Sequence, residues 1–415
     1  MNIASRFGRP LTFFALLALL GSGCSSGEPA SAPERNPLIL ISLDGFRWDY
    51  PDLADTPNLD RIIAAGVRAE GMIPVFPSKT FPSHYSIATG LHPGHHGIIS
   101  NNMRDPRWPE PFGLSAREQV NNPRWWGGEP IWVTAKKQGL RTAVYFWPGS
   151  EAPVQGMQPD IWFPYDGSVT WEHRVDTTLA WLEQPAGERP DFVALYFEEP
   201  NTAGHTYGPE AAEALAAAVA VDAALGRLVD GLAARGTLGS TNIVVVSDHG
   251  MALNADERVI VLDDYVELRR EEVFEIGALL QIFPEEGREA EIYAALAGAH
   301  PNLRIFRPEE APPEFHLYDH PRLAPIMGSP DPGWEVLPRA VLEGSWAVRG
   351  DHGQDPSHRS MHGIFIAAGP AFETGTIVDR LPGVDIYNIL AAALSIEPAP
   401  NDGDPARAQG ILTAR

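Results

Sequence analysis

Four short stretches of this chain place acids, amides and imidazoles directly beside apolar runs. Asp44 follows the run Leu38–Leu43. Glu198, Glu199, Asn201 and His205 follow residues 191–197, and Asp248 and His249 follow residues 241–247. His352 lies shortly before the run at 363–368. A lone Asp after a strand is usually a turn former or helix cap, and Asp248-His249-Gly250 taken by itself reads as a turn. Several such groups at buried strand ends are a different matter, because each is expensive to bury without a partner. A shared metal site is the economical explanation. The only cysteine is Cys24, so the ligands must be carboxylates, imidazoles or neutral oxygens, a set that suits zinc.

Most of the 13 histidines have a plainer reading. His92, His95 and His96 tempt a metal reading by their spacing, but Pro93, Gly94 and Gly97 mark a loop, and they are read as structural. His84, His173, His300, His316, His320, His358 and His362 are placed in the same class.

The elements that would position these groups alternate between strand and helix. Residues 38–43, 141–147, 191–197, 241–247 and 363–368 have the continuous apolar character of strands buried on both faces. Residues 56–66 read as a helix, with Thr56 as N-cap, Pro57 in the first position and Gly66 closing it. An Ala/Leu/Val helix covers 210–234 and a closing helix 385–393. Residues 254–346 are less regular and richer in Pro and Glu, and read as an inserted cap or accessory subdomain. In such an open α/β sheet, ligands bind beyond the carboxyl ends of the strands, where the candidate residues fall.

The segment Phe76-Pro77-Ser78-Lys79-Thr80-Phe81-Pro82-Ser83-His84-Tyr85 sharpens the expectation. With Thr89-Gly90-Leu91-His92-Pro93, His95-His96-Gly97-Ile98-Ile99 and Asn101 after it, it resembles the nucleotide pyrophosphatase/phosphodiesterase family of the alkaline phosphatase superfamily. Leu43-Asp44-Gly45-Phe46-Arg47, Glu198-Glu199-Pro200, Gly204-His205, Ser247-Asp248-His249-Gly250-Met251 and Gly350-Asp351-His352-Gly353 look like that family's other motifs, in the same order. The resemblance covers roughly residues 38–395.

It implies an alkaline-phosphatase-like three-layer sandwich around a mostly parallel sheet, and two zinc ions per chain, on the order of 4 Å apart. Thr80 matches the nucleophile, at a helix N-terminus that favours an oxyanion. Asp44, Asp248 and His249, with Thr80, match one zinc site, and Asn201, His205 and His352 occupy the positions of the other. Asn101 matches the residue whose amide holds a phosphate oxygen. Phe81 and Tyr165 match an aromatic pair that sandwiches a base. The family has Asp where this chain has Asn201, so the second site loses one negative charge and is expected to be the weaker.

The activity this implies is hydrolysis of nucleotide phosphodiester or pyrophosphate bonds through a threonyl-nucleotide intermediate, releasing a nucleoside monophosphate. Two alternatives stay open: a superfamily relative acting on lipid phosphodiesters or phosphonates, and a ligand-binding relative weakened at Asn201. A sulfatase is disfavoured, because Thr80 cannot become the formylglycine such enzymes use. The net charge of −23 argues against a nucleic-acid scaffold, which needs a basic surface, but not against a small phosphorylated substrate at a metal.

Residues 1–36 read as a targeting segment: Arg6 and Arg9, an apolar run at 11–20, then Gly21-Ser22-Gly23-Cys24 and a Ser/Gly/Pro/Ala-rich linker. The pattern resembles a bacterial lipoprotein signal, with Cys24 as the lipid anchor and Ser25 directing it to the outer membrane. Signal cleavage near Ala30-Ser31-Ala32 is the alternative. The expected organisation is a catalytic domain over 37–400, interrupted by the insertion at 254–346, and a tail over 401–415.

Overall fold

The computed structural model describes residues 35–269, 272–344 and 348–414. The targeting segment, with Cys24, lies outside the described residues.

An eight-stranded sheet forms the centre. Its strands are β1 (Leu38–Leu43), β2 (Gly66–Ala69), β3 (Thr142–Tyr145), β4 (Ile161–Phe163), β5 (Phe192–Phe197), β6 (Asn242–Val246), β7 (Phe365–Ala368) and β8 (Thr376–Val378). They lie in the order β8-β2-β7-β6-β1-β5-β3-β4. Only β7 runs against the rest, antiparallel to both β2 and β6. The five expected runs are all here. The other three strands are short or less apolar: Ile161–Phe163 and Thr376–Val378 edge the sheet, and Gly66–Ala69 starts at the glycine read from the sequence as a helix stop. That helix ends at Ala64 instead, and Gly66 opens β2. A Cβ on Gly66 would sit 2.0 Å from the Ala367 carbonyl oxygen, so this glycine serves strand pairing.

Side chains alternate across the sheet, which therefore has two cores. On one face Leu38, Leu40, Val144, Ala194, Val244 and Ala367 pack with buried residues of three helices, α2 (Thr80–Thr89), α3 (Ile131–Lys137) and α7 (Ile386–Leu394). On the other Ile39, Ile41, Ala143, Val193, Val245 and Ile366 pack with α1 (Pro57–Ala64), α4 (Trp171–Leu182) and α6 (Ala212–Ala234). Helix α1 has Thr56 at its N-cap, but Thr56 makes no capping hydrogen bond. Asp222 of α6 does the work: its carboxylate accepts from the backbone N–H of Leu59 at 2.7 Å and of Asn58 at 3.2 Å.

Within 254–346 a separate four-stranded antiparallel sheet forms from Val273–Glu275, Leu280–Ile282, Leu303–Phe306 and Ile326–Pro330. It has its own apolar cluster, including Ile282, Ile292, Leu296 and Ile326. The segment expected as a tail is packed: Ile411 is buried, and the Asp402 N–H bonds the Gly90 carbonyl at 2.8 Å. Among the described residues no helix is long and apolar enough to cross a membrane.

Candidate metal-assisted active site

Strand register builds the site. Ser42 of β1 pairs with Val246 of β6, and Leu43 with Phe197 of β5. Two residues on, Asp44 and Asp248 emerge side by side, and the turn after β5 starts beside them. Because β7 runs antiparallel to β6, with Phe365 opposite Val246, the loop before β7 that carries His352 arrives at the same edge. A short helix, α5 (Asn201–Tyr207), puts Asn201 and His205 one turn apart on one face. The Asn201 N–H bonds the Asp44 carbonyl at 3.0 Å. Gly45 sits at φ +67°, where a Cβ would press on Asn201 at 3.0 Å, and its N–H donates to Asp248 Oδ1 at 3.1 Å.

Thr80 is the first residue of α2, whose N-cap, Lys79, makes no side-chain capping bond. Ser78 ties this helix start to the His352 loop. Its hydroxyl donates to the Gln354 carbonyl at 2.7 Å and accepts the Gly353 N–H at 3.1 Å. Asn101 Oδ1 accepts the Phe81 N–H at 2.9 Å, which commits the oxygen and leaves the Asn101 NH₂ as a donor.

The structure brings Asp44, Thr80, Asn201, His205, Asp248, His249 and His352 together. Thr80 Oγ lies 3.3 Å from His249 Nε2, which is 2.9 Å from Asp248 Oδ2 and 3.6 Å from Asp44 Oδ1. The rings of His249 and His352 stack at 3.5 Å, and Nε2 of His352 faces Nε2 of His205 at 3.2 Å. Each of these imidazoles donates Nδ1–H to a backbone carbonyl: His249 to Gly250 at 2.9 Å, His205 to Gly350 at 2.7 Å and His352 to Ser78 at 2.8 Å. Three Nε2 lone pairs therefore converge, and two of them point at each other.

This donor set fits divalent metal. Asp44 Oδ1, Asp248 Oδ2 and Asn201 Oδ1 are buried without a hydrogen-bond partner, a cost that coordination would relieve. Asp44, Asp248 and His249 offer ligand atoms within 4.8 Å of one another. Protons do not fill the second pair, since burial and then neighbouring cations hold His352 well below the ordinary imidazole value. Burial, reinforced by Asp248, pushes Asp44 up to about 7. Burial also opposes ionisation of Asp248, but His249 and His84 outweigh it and hold that carboxyl low.

Two residues here escaped the sequence reading. His84, taken as structural, is fully buried with Nδ1 2.8 Å from the Thr80 carbonyl and 3.2 Å from Asp248 Oδ2, while Nε2 meets Ser42 Oγ at 2.8 Å. It braces the helix that begins at Thr80 against a candidate ligand. Its place one turn after Thr80 was the available signal. Asp351 joins His205 and His352 as a third group within ligand distance, although its approach to His205 is at Nδ1, 3.9 Å away. Glu198 is held by Arg174 at 2.6 Å and Glu199 Oε2 accepts the Ala203 N–H at 3.1 Å, so both have other duties. His96, bonded to Ser86, and His95, paired with Asp402, are structural.

A cleft of about 200 Å³ opens beside Thr80 and Asp44, with Phe81 and Tyr165 in its lining. Phe81 packs on Phe112 and Trp126 at 6.0 and 5.9 Å, whereas Tyr165 is 42% exposed.

Comparison with known proteins agrees with this arrangement. Residues 38–363 match the family model described as type I phosphodiesterase / nucleotide pyrophosphatase. The chain belongs to that family. It is 38% identical over 395 residues to bovine (Bos taurus) ectonucleotide pyrophosphatase/phosphodiesterase family member 3, covering 92% of this chain and 45% of the relative. It is 36% identical to human (Homo sapiens) family member 1, covering 92% and 42%, so it spans less than half of either relative. The structure superposes on murine ectonucleotide pyrophosphatase/phosphodiesterase 5 with a TM-score of 0.86 and 34% identity, covering 91% of this chain and 100% of that one. An inactive threonine-to-alanine variant of the murine protein, in complex with AMP, matches with the same score.

Proposed function

We propose that this chain hydrolyses nucleotide phosphodiester or pyrophosphate bonds with two zinc ions, through a covalent intermediate on Thr80, and releases a nucleoside monophosphate. The observation that carries the reading is Thr80 Oγ at a helix N-terminus, 3.3 Å from one of three imidazoles whose free nitrogens converge with Asp44 and Asp248. Asp44, Asp248 and His249, with Thr80, would hold one ion, and Asn201, His205 and His352 the other. When bound, the ions supply positive charge that acidifies the threonine hydroxyl and offsets the phosphate.

The chain's own groups do the rest. Thr80 Oγ forms a bond to phosphorus as the bond to the leaving oxygen breaks. Water then attacks the same phosphorus, freeing the nucleotide and restoring the hydroxyl. The N-terminus of α2 and the Asn101 NH₂ receive the phosphoryl oxygens, and Phe81 and Tyr165 flank the base. The family match and the AMP bound by the murine neighbour support a nucleotide over a lipid substrate. Cys24 is proposed as a lipid anchor that holds the enzyme in the periplasm at the outer membrane.

The test is formation of AMP from a dinucleotide or ATP by the purified protein with zinc, beside trapping of the threonyl-nucleotide by rapid quench. Turnover that survives in Thr80→Ala would refute the covalent route. No turnover at saturating zinc would favour a ligand-binding relative.

A further inference from the structure

The insertion delivers a group of buried charges to the base of the site that the proposed reaction does not use. Lys79, the residue before Thr80, is buried, with Nζ 4.0 Å from Glu275 Oε1 and 4.0 Å from Asp351 Oδ1. Glu275 stands on a strand of the inserted sheet and accepts from Ser100 Oγ at 2.7 Å and from Gln281 Nε2. Glu335, from the end of the insertion, accepts from Asn254 Nδ2 at 2.7 Å. Burial and then the Asp351 carboxylate push Glu335 up to about 9. Its Oε2 faces Asp351 and has no hydrogen-bond partner of its own.

Asp351 is the link between this group and the imidazoles. Its Oδ1 accepts the His352 backbone N–H at 2.8 Å and lies 3.9 Å from His205 Nδ1. That Nδ1 already donates to the Gly350 carbonyl, so Asp351 stands on the side of the ring away from Nε2. It cannot complete the ligand set, but its charge lies close to both rings. The other side chains there, His205, His352 and Asn201, are neutral when a metal is bound. Two carboxyl groups, Asp351 and Glu275, stand against the one ammonium of Lys79. The balance beneath the pair is negative, and in so buried a place it is poorly screened.

We propose that Asp351, braced by Glu335 and opposed by Lys79, sets the metal affinity of the His205/His352 site by supplying through space the negative charge that Asn201 does not. The insertion, through Glu275 and Glu335, is then a bracket for the second ion. This rests on the two-ion reading above. A positioning role of this kind predicts opposite signs for opposite charges, which mere packing does not.

The experiment titrates metal-stripped full-length protein with zinc against a chromophoric chelator, with thermal melts of the stripped proteins to check folding. Asp351→Asn should weaken the second ion about tenfold or more, the range typical of groups that support metal ligands. Lys79→Met should tighten it, and Asn201→Asp in the Asp351→Asn background should restore it. Weakening in both single variants, or no change in either, overturns the inference and leaves the two-ion reading intact. If Asp351→Asn does not fold, Lys79→Met decides: tighter binding supports the inference, and equal or weaker binding overturns it. An unmodified chain that takes up a single ion at saturating zinc overturns the two-ion reading and the inference together.

Discussion

Replacing Tyr165 with alanine separates base recognition from packing. The ring is 42% exposed and meets Phe146 edge-on at 5.3 Å and Tyr196 at 6.4 Å. Aromatic pairs of this kind are each worth about 0.5–1.5 kcal/mol. With much of the ring already in solvent, its loss should cost about 1–2 kcal/mol of stability and move the melting temperature by only a few degrees. On the substrate side, stacking one base on an aromatic ring is worth about 1–3 kcal/mol. At about 1.4 kcal/mol per factor of ten, KM for a nucleotide ester should rise about five- to 150-fold. The ring would grip the base equally before and during reaction, so kcat should stay nearly constant. The assay compares the para-nitrophenyl ester of thymidine monophosphate with bis-para-nitrophenyl phosphate, which has no base. A loss shared equally by both substrates, or one carried in kcat, would refute the stacking role. Phe81→Ala is a poorer probe, because Phe81 also packs on Phe112 and Trp126.

Four further outcomes are expected. Thr80→Ala should lower turnover by about three orders of magnitude or more while zinc content, measured by atomic emission, holds; Thr80→Ser should keep part of the activity. Asp222→Ala should cost about 2 kcal/mol in denaturant unfolding, by uncapping α1, with turnover below the melt unchanged. Asp105 is held well below the usual carboxylate range by Arg107 and, against burial, by Arg322. A depressed folded pKa stabilises above the unfolded value and is lost on acidification, so the melting deficit of Asp105→Asn should be full at pH 7 and shrink as pH falls through and below about 4. Cys24→Ala should move the protein from the membrane to the soluble fraction or block its maturation. Soluble partitioning in both forms would favour ordinary signal cleavage.

Much of the site was legible because its residues follow strands whose apolar runs are continuous. Asp44 and Asp248 announce themselves as acids at the ends of β1 and β6, and only the in-step register of those strands was needed to bring them together. Thr80 was different: nothing in its local composition marks a nucleophile, and the ordered motifs around it carried the assignment. What stayed hidden depends on partners distant in sequence. Thr56 looked like a cap, yet the bonds come from Asp222. Gly66 looked like a stop, yet Ala367 needs it small. His84 and Asp351 read as background because their roles lie in what they touch, Asp248 and the His205/His352 pair. Glu275 and Glu335 sit in a stretch whose irregular pattern gave no hint that it reaches Lys79.

The neighbours of β1 have a consequence for how the molecule comes into being. Leu38 pairs with Phe192 on one side and with Asn242 on the other, so the first strand of the sheet draws both its neighbours from far later in the sequence. Contacts this remote in sequence are slow to form, because a large loop must close before any pairing rewards it. The loop with His352, later still in the sequence, is held against Ser78 just before α2. The proposed His205/His352 site should therefore be completed late, only once the loop before β7 has docked against the start of α2.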